Sequence, residues 1–145
     1  MVFDPSVAPR DRSEFAEWFA TKVDWDHNHD YMNPVCASPE LKAWYDAIRA
    51  DYPAMNGPDA TDDDELIDRA GDYNFGPGFI YVTYPWSLAE EIYDRVRELA
   101  VEMAVGFFDV SNDEESPEIY FPGDALAPPS QGSWRAIAKQ FQELS

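Results

Sequence analysis

The chain has 145 residues, of which 45% are hydrophobic and 15% aromatic, and its 29 acidic and 10 basic side chains give a net charge of −19. This length and apolar content predict one folded domain, residues 1–145, and argue against a disordered acidic polypeptide. An electrostatic field of this sign repels nucleic acid and anionic lipid and attracts basic partners. We therefore expect no binding to nucleic acid or to a membrane.

The cellular compartment is predicted from three further features. No apolar run reaches the roughly 20 residues that span a bilayer, and the first residues lack the basic start and apolar core of a signal peptide. A single cysteine, Cys36, cannot form an internal disulfide. These features indicate a protein of the reducing cytoplasm.

The first two helices are predicted from apolar spacing and capping residues. Segment MVFD is expected to supply an edge strand. A helix from about Arg12 to Lys22 follows, with Asp11 and Glu14 as a capping box. Ser38 and Pro39 are typical of an N-cap and a first helical residue, and the second helix ends before Pro53. Between Tyr52 and Gly78 the Pro and Gly residues predict a loop, with one helical turn near residues 64–69.

The next elements are a strand and the longest helix. Phe79 to Tyr84 alternates two faces, as a strand does. Ser87 and Glu90 have the spacing of a capping box for the helix that follows, and Gly106 is expected to end that region. The apolar stripe expected to face the sheet is Leu88, Ile92, Val96, Leu99 and Met103.

The C-terminal third predicts a hairpin and a last helix. FFDVS and EIYFP are expected to be short strands joined by an acidic turn. Trp134, Ile137, Ala138, Phe141 and Leu144 are expected to pack the last helix on the body. The fold class is therefore α+β, with a small sheet of three or four strands and about four helices. Five side chains are predicted to lie in its core: Trp18, Trp44, Ile92, Val96 and Phe108.

The stretch DWDHNHD, from Asp24 to Asp30, combines carboxylates with both histidines and raises the question of a metal site. A calcium loop needs glycine at its sixth position and glutamate at its twelfth, but His29 and Val35 stand there. Two histidines and an aspartate could hold zinc or iron, yet such side chains are also common in turns. We expect no bound metal and no cofactor, and keep a metal-dependent enzyme as an alternative.

Acidic residues are concentrated in two segments. Residues 59–72 hold seven acids and one base, and residues 109–118 hold five acids and no base. Such clusters raise the rate of association with a basic protein, whereas lasting affinity needs side chains that bury area. The predicted partner-binding residues are these acids and the aromatic residues near turns: Asp62, Asp63, Asp64, Glu65, Tyr73, Phe75, Trp86, Asp113, Glu114 and Glu115.

Four segments carry a resemblance to a known group of proteins: FDPSVAPRDRSEFAEWF, YPAMNGPDA, FIYVTYPWSLAEEIY and VGFFDVS. Over residues 2–122 the chain resembles small acidic bacterial proteins, some of which look like immunity partners of polymorphic or secreted toxins. The resemblance implies a protein that blocks a cognate toxin. The charge agrees with this role, because an acidic surface can replace the phosphates in a basic cleft.

No catalytic motif supports an enzyme. The chain contains no G-x-S-x-G, P-loop or G-x-G-x-x-G pattern, and apolar residues flank Cys36. We therefore expect a binding protein without catalytic activity. Besides the metal-dependent enzyme, an acidic housekeeping domain is the remaining alternative, since 17 aspartates against three lysines could serve solubility alone.

Overall fold

The computed structural model describes residues 1–23, 31–110, 117–126, 128 and 134–144. These residues form an α+β fold. Its sheet has five strands, one more than the three or four that the sequence predicts. The helices are α1 (Arg12–Lys22), α2 (Pro39–Ile48), α3 (Ala89–Glu102) and α4 (Trp134–Glu143). The strands are β1 (Val2–Phe3), β2 (Asp72–Gly76), β3 (Phe79–Thr83), β4 (Gly106–Phe108) and β5 (Ile119–Tyr120).

The strands form one sheet in the order β2-β3-β1-β4-β5, and every neighbouring pair is antiparallel. Strand β1 therefore lies at the centre of the sheet, and its prediction as an edge strand is wrong. Because β3 and β4 are both antiparallel to β1, they are parallel to each other. Helix α3 connects them, so the three elements make a βαβ unit whose two strands are separated by β1.

Side chains on alternate sheet positions build two separate apolar clusters. Val2, Ile80 and Phe107 contribute to the cluster packed by α2, α3 and α4. The residue adjacent to each of these, Phe3, Phe79 or Phe108, contributes to the cluster on the opposite face. There Phe15 of α1 lies edge-on to Phe3, with ring centroids 5.1 Å apart. The sheet is thus covered on both faces because its central strands alternate between two apolar sets.

Local capping explains where the first two helices begin. The Asp11 carboxylate accepts from the Glu14 backbone N–H at 3.1 Å. The Ser38 hydroxyl accepts from the Leu41 N–H at 3.2 Å, with Pro39 as the first residue of α2. Each bond satisfies a donor that the first helical turn leaves without an intrahelical partner. Both predicted helix starts are confirmed.

The ends of α3 differ from the prediction. Residues Trp86–Leu88 form a turn of 3-10 helix, and no side chain caps the first residue of α3. The predicted capping box of Ser87 and Glu90 is therefore wrong. At the other end Ala104, with φ of 57°, takes the left-handed conformation expected of a glycine. Gly106 begins β4 instead, where an added Cβ would collide with the ring of Phe3.

The predicted core is confirmed in its main part. Trp44, Ile92, Val96 and Phe108 are buried, whereas Trp18 is half-buried against the α1 face of the sheet. In α4 the apolar stripe is only partly covered. Trp134 and Ala138 are buried, but three of the residues expected to pack on the body are exposed: Ile137, Phe141 and Leu144.

Candidate partner-binding surface

The acidic loop, residues 62–68, projects from a base tied to the rest of the fold by backbone hydrogen bonds. The Thr61 N–H donates to the Ala54 carbonyl at 2.8 Å, and the Met55 N–H donates to the Gly71 carbonyl at 2.9 Å. Within the loop the Asp63 carboxylate accepts from the Glu65 N–H at 2.9 Å, so the Asp63 side chain closes a local turn. The loop therefore has a defined backbone at its base and at its first turn.

A polar network supports the approach to this loop. The Tyr45 hydroxyl donates to Asp59 Oδ2 at 2.9 Å, and Arg49 Nη1 lies 2.9 Å from the other oxygen of that carboxylate. Burial and the hydrogen bond to Asp59 raise the pKa of Tyr45, so the hydroxyl is a donor at neutral pH. Asp59 is thus held by two partners on α2 and its C-terminus.

The charge of the acidic loop has no such compensation among the residues that the structure describes. At least seven of the ten basic side chains form ion pairs elsewhere, including Arg69 with Glu91 at 3.3 Å. No ion pair within the described chain involves Asp62, Asp63, Asp64, Glu65 or Asp68, and all five are exposed. The loop therefore presents uncompensated negative charge to solvent.

The acidic loop also contains two exposed apolar side chains that were not among the predicted partner-binding residues. Leu66 and Ile67 are 39% and 48% exposed, whereas Ala70, three residues further along the chain, is buried. Their signal was present in the letters DELID, an apolar pair enclosed by acids. Exposed apolar side chains beside charge supply the contact area that charge alone lacks.

The structure contradicts the prediction that Tyr73 and Phe75 are exposed for contact with a partner. Both lie on β2 and are 1% exposed. Their rings pack edge-on to Tyr45, at centroid distances of 5.2 and 4.8 Å. The Tyr73 hydroxyl also donates to the Tyr52 carbonyl at 2.6 Å. The predicted loop between Tyr52 and Gly78 is therefore wrong for residues 72–76, which form β2. Because alternate side chains of a strand point to the same face, both rings enter the core.

The remaining predicted residues have different positions. Asp62 to Glu65 lie together in the acidic loop as expected. Trp86 is 38% exposed, and its 3-10 turn packs against α4. Asp113, Glu114 and Glu115 lie outside the described residues, as does the stretch Asp24–Asp30. Among the predicted residues that the structure describes, the four loop acids are therefore the ones that lie together.

Two other features are absent from the described part of the chain: a cluster of metal-binding side chains and a helix able to span a membrane. No group of three or more His, Cys, Asp or Glu side chains there has the arrangement of a metal site. None of the helices in the same ranges has both the length and the apolar content needed to cross a bilayer.

Comparison of the chain with protein-family models, with curated proteins and with solved structures gave no match.

Proposed function

We propose that this protein binds and neutralises a basic protein partner in the bacterial cytoplasm, as a toxin immunity protein does, and catalyses no reaction itself. The observation that carries the proposal is the acidic loop, in which five exposed acids without ionic partners in the described chain enclose Leu66 and Ile67. The resemblance to immunity proteins gives the partner its class, a toxin with a basic cleft.

The two kinds of side chain have separate tasks in this mechanism. The acids attract a positively charged cleft from a distance and raise the association rate, an effect that salt screens over about 8 Å at physiological ionic strength. Leu66 and Ile67 lose contact with water only once the complex has formed. Their burial therefore slows dissociation and depends little on salt.

The test begins with capture of the cognate toxin from the source organism, followed by binding kinetics with the purified pair. Asp62→Lys, Asp63→Lys and Asp64→Lys combined should lower the association rate at least about tenfold and reduce its salt dependence. Leu66→Ala with Ile67→Ala should instead raise the dissociation rate. Both variants should protect cells less well against the toxin.

A matched control separates position from net charge. Glu17→Lys, Glu102→Lys and Glu143→Lys change the net charge by the same amount at exposed positions outside the acidic loop. This control should associate nearly as fast as the parent. If the control slows association as much as the loop reversal does, or if the loop reversal binds and protects like the parent, the acidic-loop mechanism is wrong.

A further inference from the structure

One face of the hairpin formed by β2 and β3 changes from apolar to polar along its length. On this face Asp72 lies opposite Thr83, and Asn74 lies opposite Tyr81. Cross-strand neighbours have Cβ atoms about 5 Å apart, so these four side chains form one group. Phe79, two residues before Tyr81 in β3, belongs to the apolar cluster packed by α1. The face is therefore apolar near the turn of the hairpin and polar at the other end.

An open cavity of about 380 Å³ lies on the polar part of this face, and its walls include the four side chains and Tyr31. The Tyr31 carbonyl accepts from the Phe75 N–H at 2.7 Å, so residue 31 lies along the outer edge of β2. Tyr81 belongs to β3, on the inner side of β2. The two tyrosines therefore stand on opposite sides of the polar side chains of β2. The volume lies within the roughly 300–1,000 Å³ of ordinary ligand pockets.

Two amides hold the Asp72 carboxylate in position. Asn56 Nδ2 donates to Asp72 Oδ1 at 2.8 Å, and Asn74 Nδ2 donates to the same oxygen at 3.2 Å. Within the described residues Asp72 Oδ2 has neither a hydrogen bond nor an ion pair, and Asn74 Oδ1 accepts no hydrogen bond. Two neighbouring acceptors, one of them charged, are therefore available at the wall of the cavity.

The position of Asp72 is maintained at a cost to the fold. Asn56 Oδ1 is buried and has no hydrogen-bond partner in the described part of the chain. A buried acceptor without a partner destabilises the native state, and native proteins contain few of them. Turning the Asn56 amide over would aim its oxygen at the Asp72 carboxylate and replace an attraction by a repulsion. The orientation that leaves Oδ1 unsatisfied is therefore the one that fixes Asp72.

These groups match the hydrogen-bonding pattern of a guanidinium group. A guanidinium carries five N–H donors in a rigid planar fork and no acceptor, so it can donate to a carboxylate, an amide oxygen and a hydroxyl at once. Its bond to the Asp72 carboxylate would be charge-assisted, and tyrosine rings attract its planar cation. An ammonium is more strongly hydrated and lacks the fork. A divalent cation would meet a single carboxylate among the described lining residues.

We propose that the cavity on the β2–β3 hairpin binds the guanidinium group of an arginine side chain presented by another protein. The guanidinium donates to Asp72 Oδ2, Asn74 Oδ1 and the Thr83 hydroxyl. Tyr31 and Tyr81 enclose it from either side. This site lies outside the acidic loop and recognises one side chain by its shape as well as its charge, which goes beyond the neutralising function.

The test is a titration of the isotope-labelled intact protein, followed by NMR. It uses no toxin, so its result is independent of the proposed function. The probe is acetyl-Gly-Arg-Gly-amide, which should shift the side-chain amide signals of Asn56 and Asn74 until they saturate. A citrulline peptide keeps the planar shape without the charge, and a lysine peptide keeps the charge without the planar fork. Each should bind at least about fivefold more weakly than the arginine peptide.

Protein variants locate the binding. Asp72→Asn should weaken the arginine peptide about tenfold and leave the citrulline peptide within about twofold, as a double-mutant cycle requires for a direct charged contact. Asp68→Asn removes the same charge from the exposed loop and should bind the arginine peptide within about twofold of the parent. Thr83→Val removes one acceptor at an exposed strand position and should weaken binding about threefold. It keeps a β-branched side chain, so it tests the site even if Asp72→Asn lowers the melting temperature.

Free arginine separates a protein side chain from the amino acid as the ligand. The site contacts the side chain alone, and the negative field of the protein repels a free carboxylate, so free arginine should bind no more tightly than the peptide. Binding of free arginine that is tenfold tighter would make the amino acid the ligand and would overturn the inference. The absence of saturable shifts, equal affinity for the arginine and lysine peptides, or equal weakening by Asp68→Asn and Asp72→Asn would overturn it as well.

Discussion

The acidic loop and strand β2 are separated by three residues in sequence, yet one is exposed throughout and the other lies largely in the core. Residues 62–68 turn every side chain toward solvent, including Leu66 and Ile67. Strand β2 buries Tyr73 and Phe75 and leaves Asp72 and Asn74 half-exposed on the other face. In this part of the chain, burial follows the spacing of the apolar residues more than their number. Apolar residues that alternate with polar ones lie in a strand and are buried, whereas the adjacent pair in the loop is exposed.

The largest expected effect concerns a ring of the buried strand. Phe75→Ala should lower the free energy of unfolding by about 3 to 5 kcal/mol, because it removes a fully buried ring and leaves a cavity. Leu66→Ala, six residues before the start of β2 and in the exposed loop, should change it by less than about 0.5 kcal/mol. Denaturant titration of both variants measures the contrast. Equal losses would mean that Leu66 packs in the core.

Alkaline pH should also act through β2. Burial raises the pKa of Tyr73 and of Tyr84, whose hydroxyls lie 2.9 Å apart. The unfolded chain then loses these protons first, near its ordinary pKa of about 10. The stability that the neutral phenols provide is therefore complete below pH 10 and falls as the pH rises above it.

The measurement is the melting temperature between pH 8 and pH 12. Tyr73→Phe removes one titrating group and should make the decline above pH 10 shallower. A decline as steep as that of the parent would show that Tyr73 ionises as easily in the folded protein as in the unfolded chain.

A smaller effect is expected where the loop joins the body. Tyr45→Phe removes the hydrogen bond to Asp59 but keeps the ring, so it should lower the free energy of unfolding by about 1.5 to 3 kcal/mol, the range for bonds to a charged group. Hydrogen exchange should speed up at the amides of the acidic loop more than at those of β2. Equal acceleration in both would contradict a local role for this bond.

The smallest effect on stability is expected for the triple lysine variant of the acidic loop. Asp62, Asp63 and Asp64 are exposed and have no ion pair in the described chain, so reversal of Asp62 or Asp64 should change the free energy of unfolding by no more than about 0.5 kcal/mol each. Reversal of Asp63 also removes the hydrogen bond from the Glu65 N–H and should cost about 0.5 to 1 kcal/mol. Thermal unfolding checks these values. A large loss would mean that any change in partner binding reflects damage to the fold.

Part of the candidate surface could be predicted from the sequence because charge clusters are local. The four acids from Asp62 to Glu65 are adjacent, and adjacent like charges in a loop stay in solvent. Tyr73 and Phe75 were misplaced because the glycines and prolines around them favoured a loop. The alternation of polar and aromatic residues in Asp-Tyr-Asn-Phe indicates a strand. The strand with which it pairs, β3, was predicted correctly.

The sequence by itself determined the helices α1 and α2, the strand β3, the acidic loop and the α+β class, since caps, periods and charge act over a few neighbouring residues. Only the tertiary structure decided that β1 occupies the centre of the sheet, because its two residues are paired with strands more than 70 residues away.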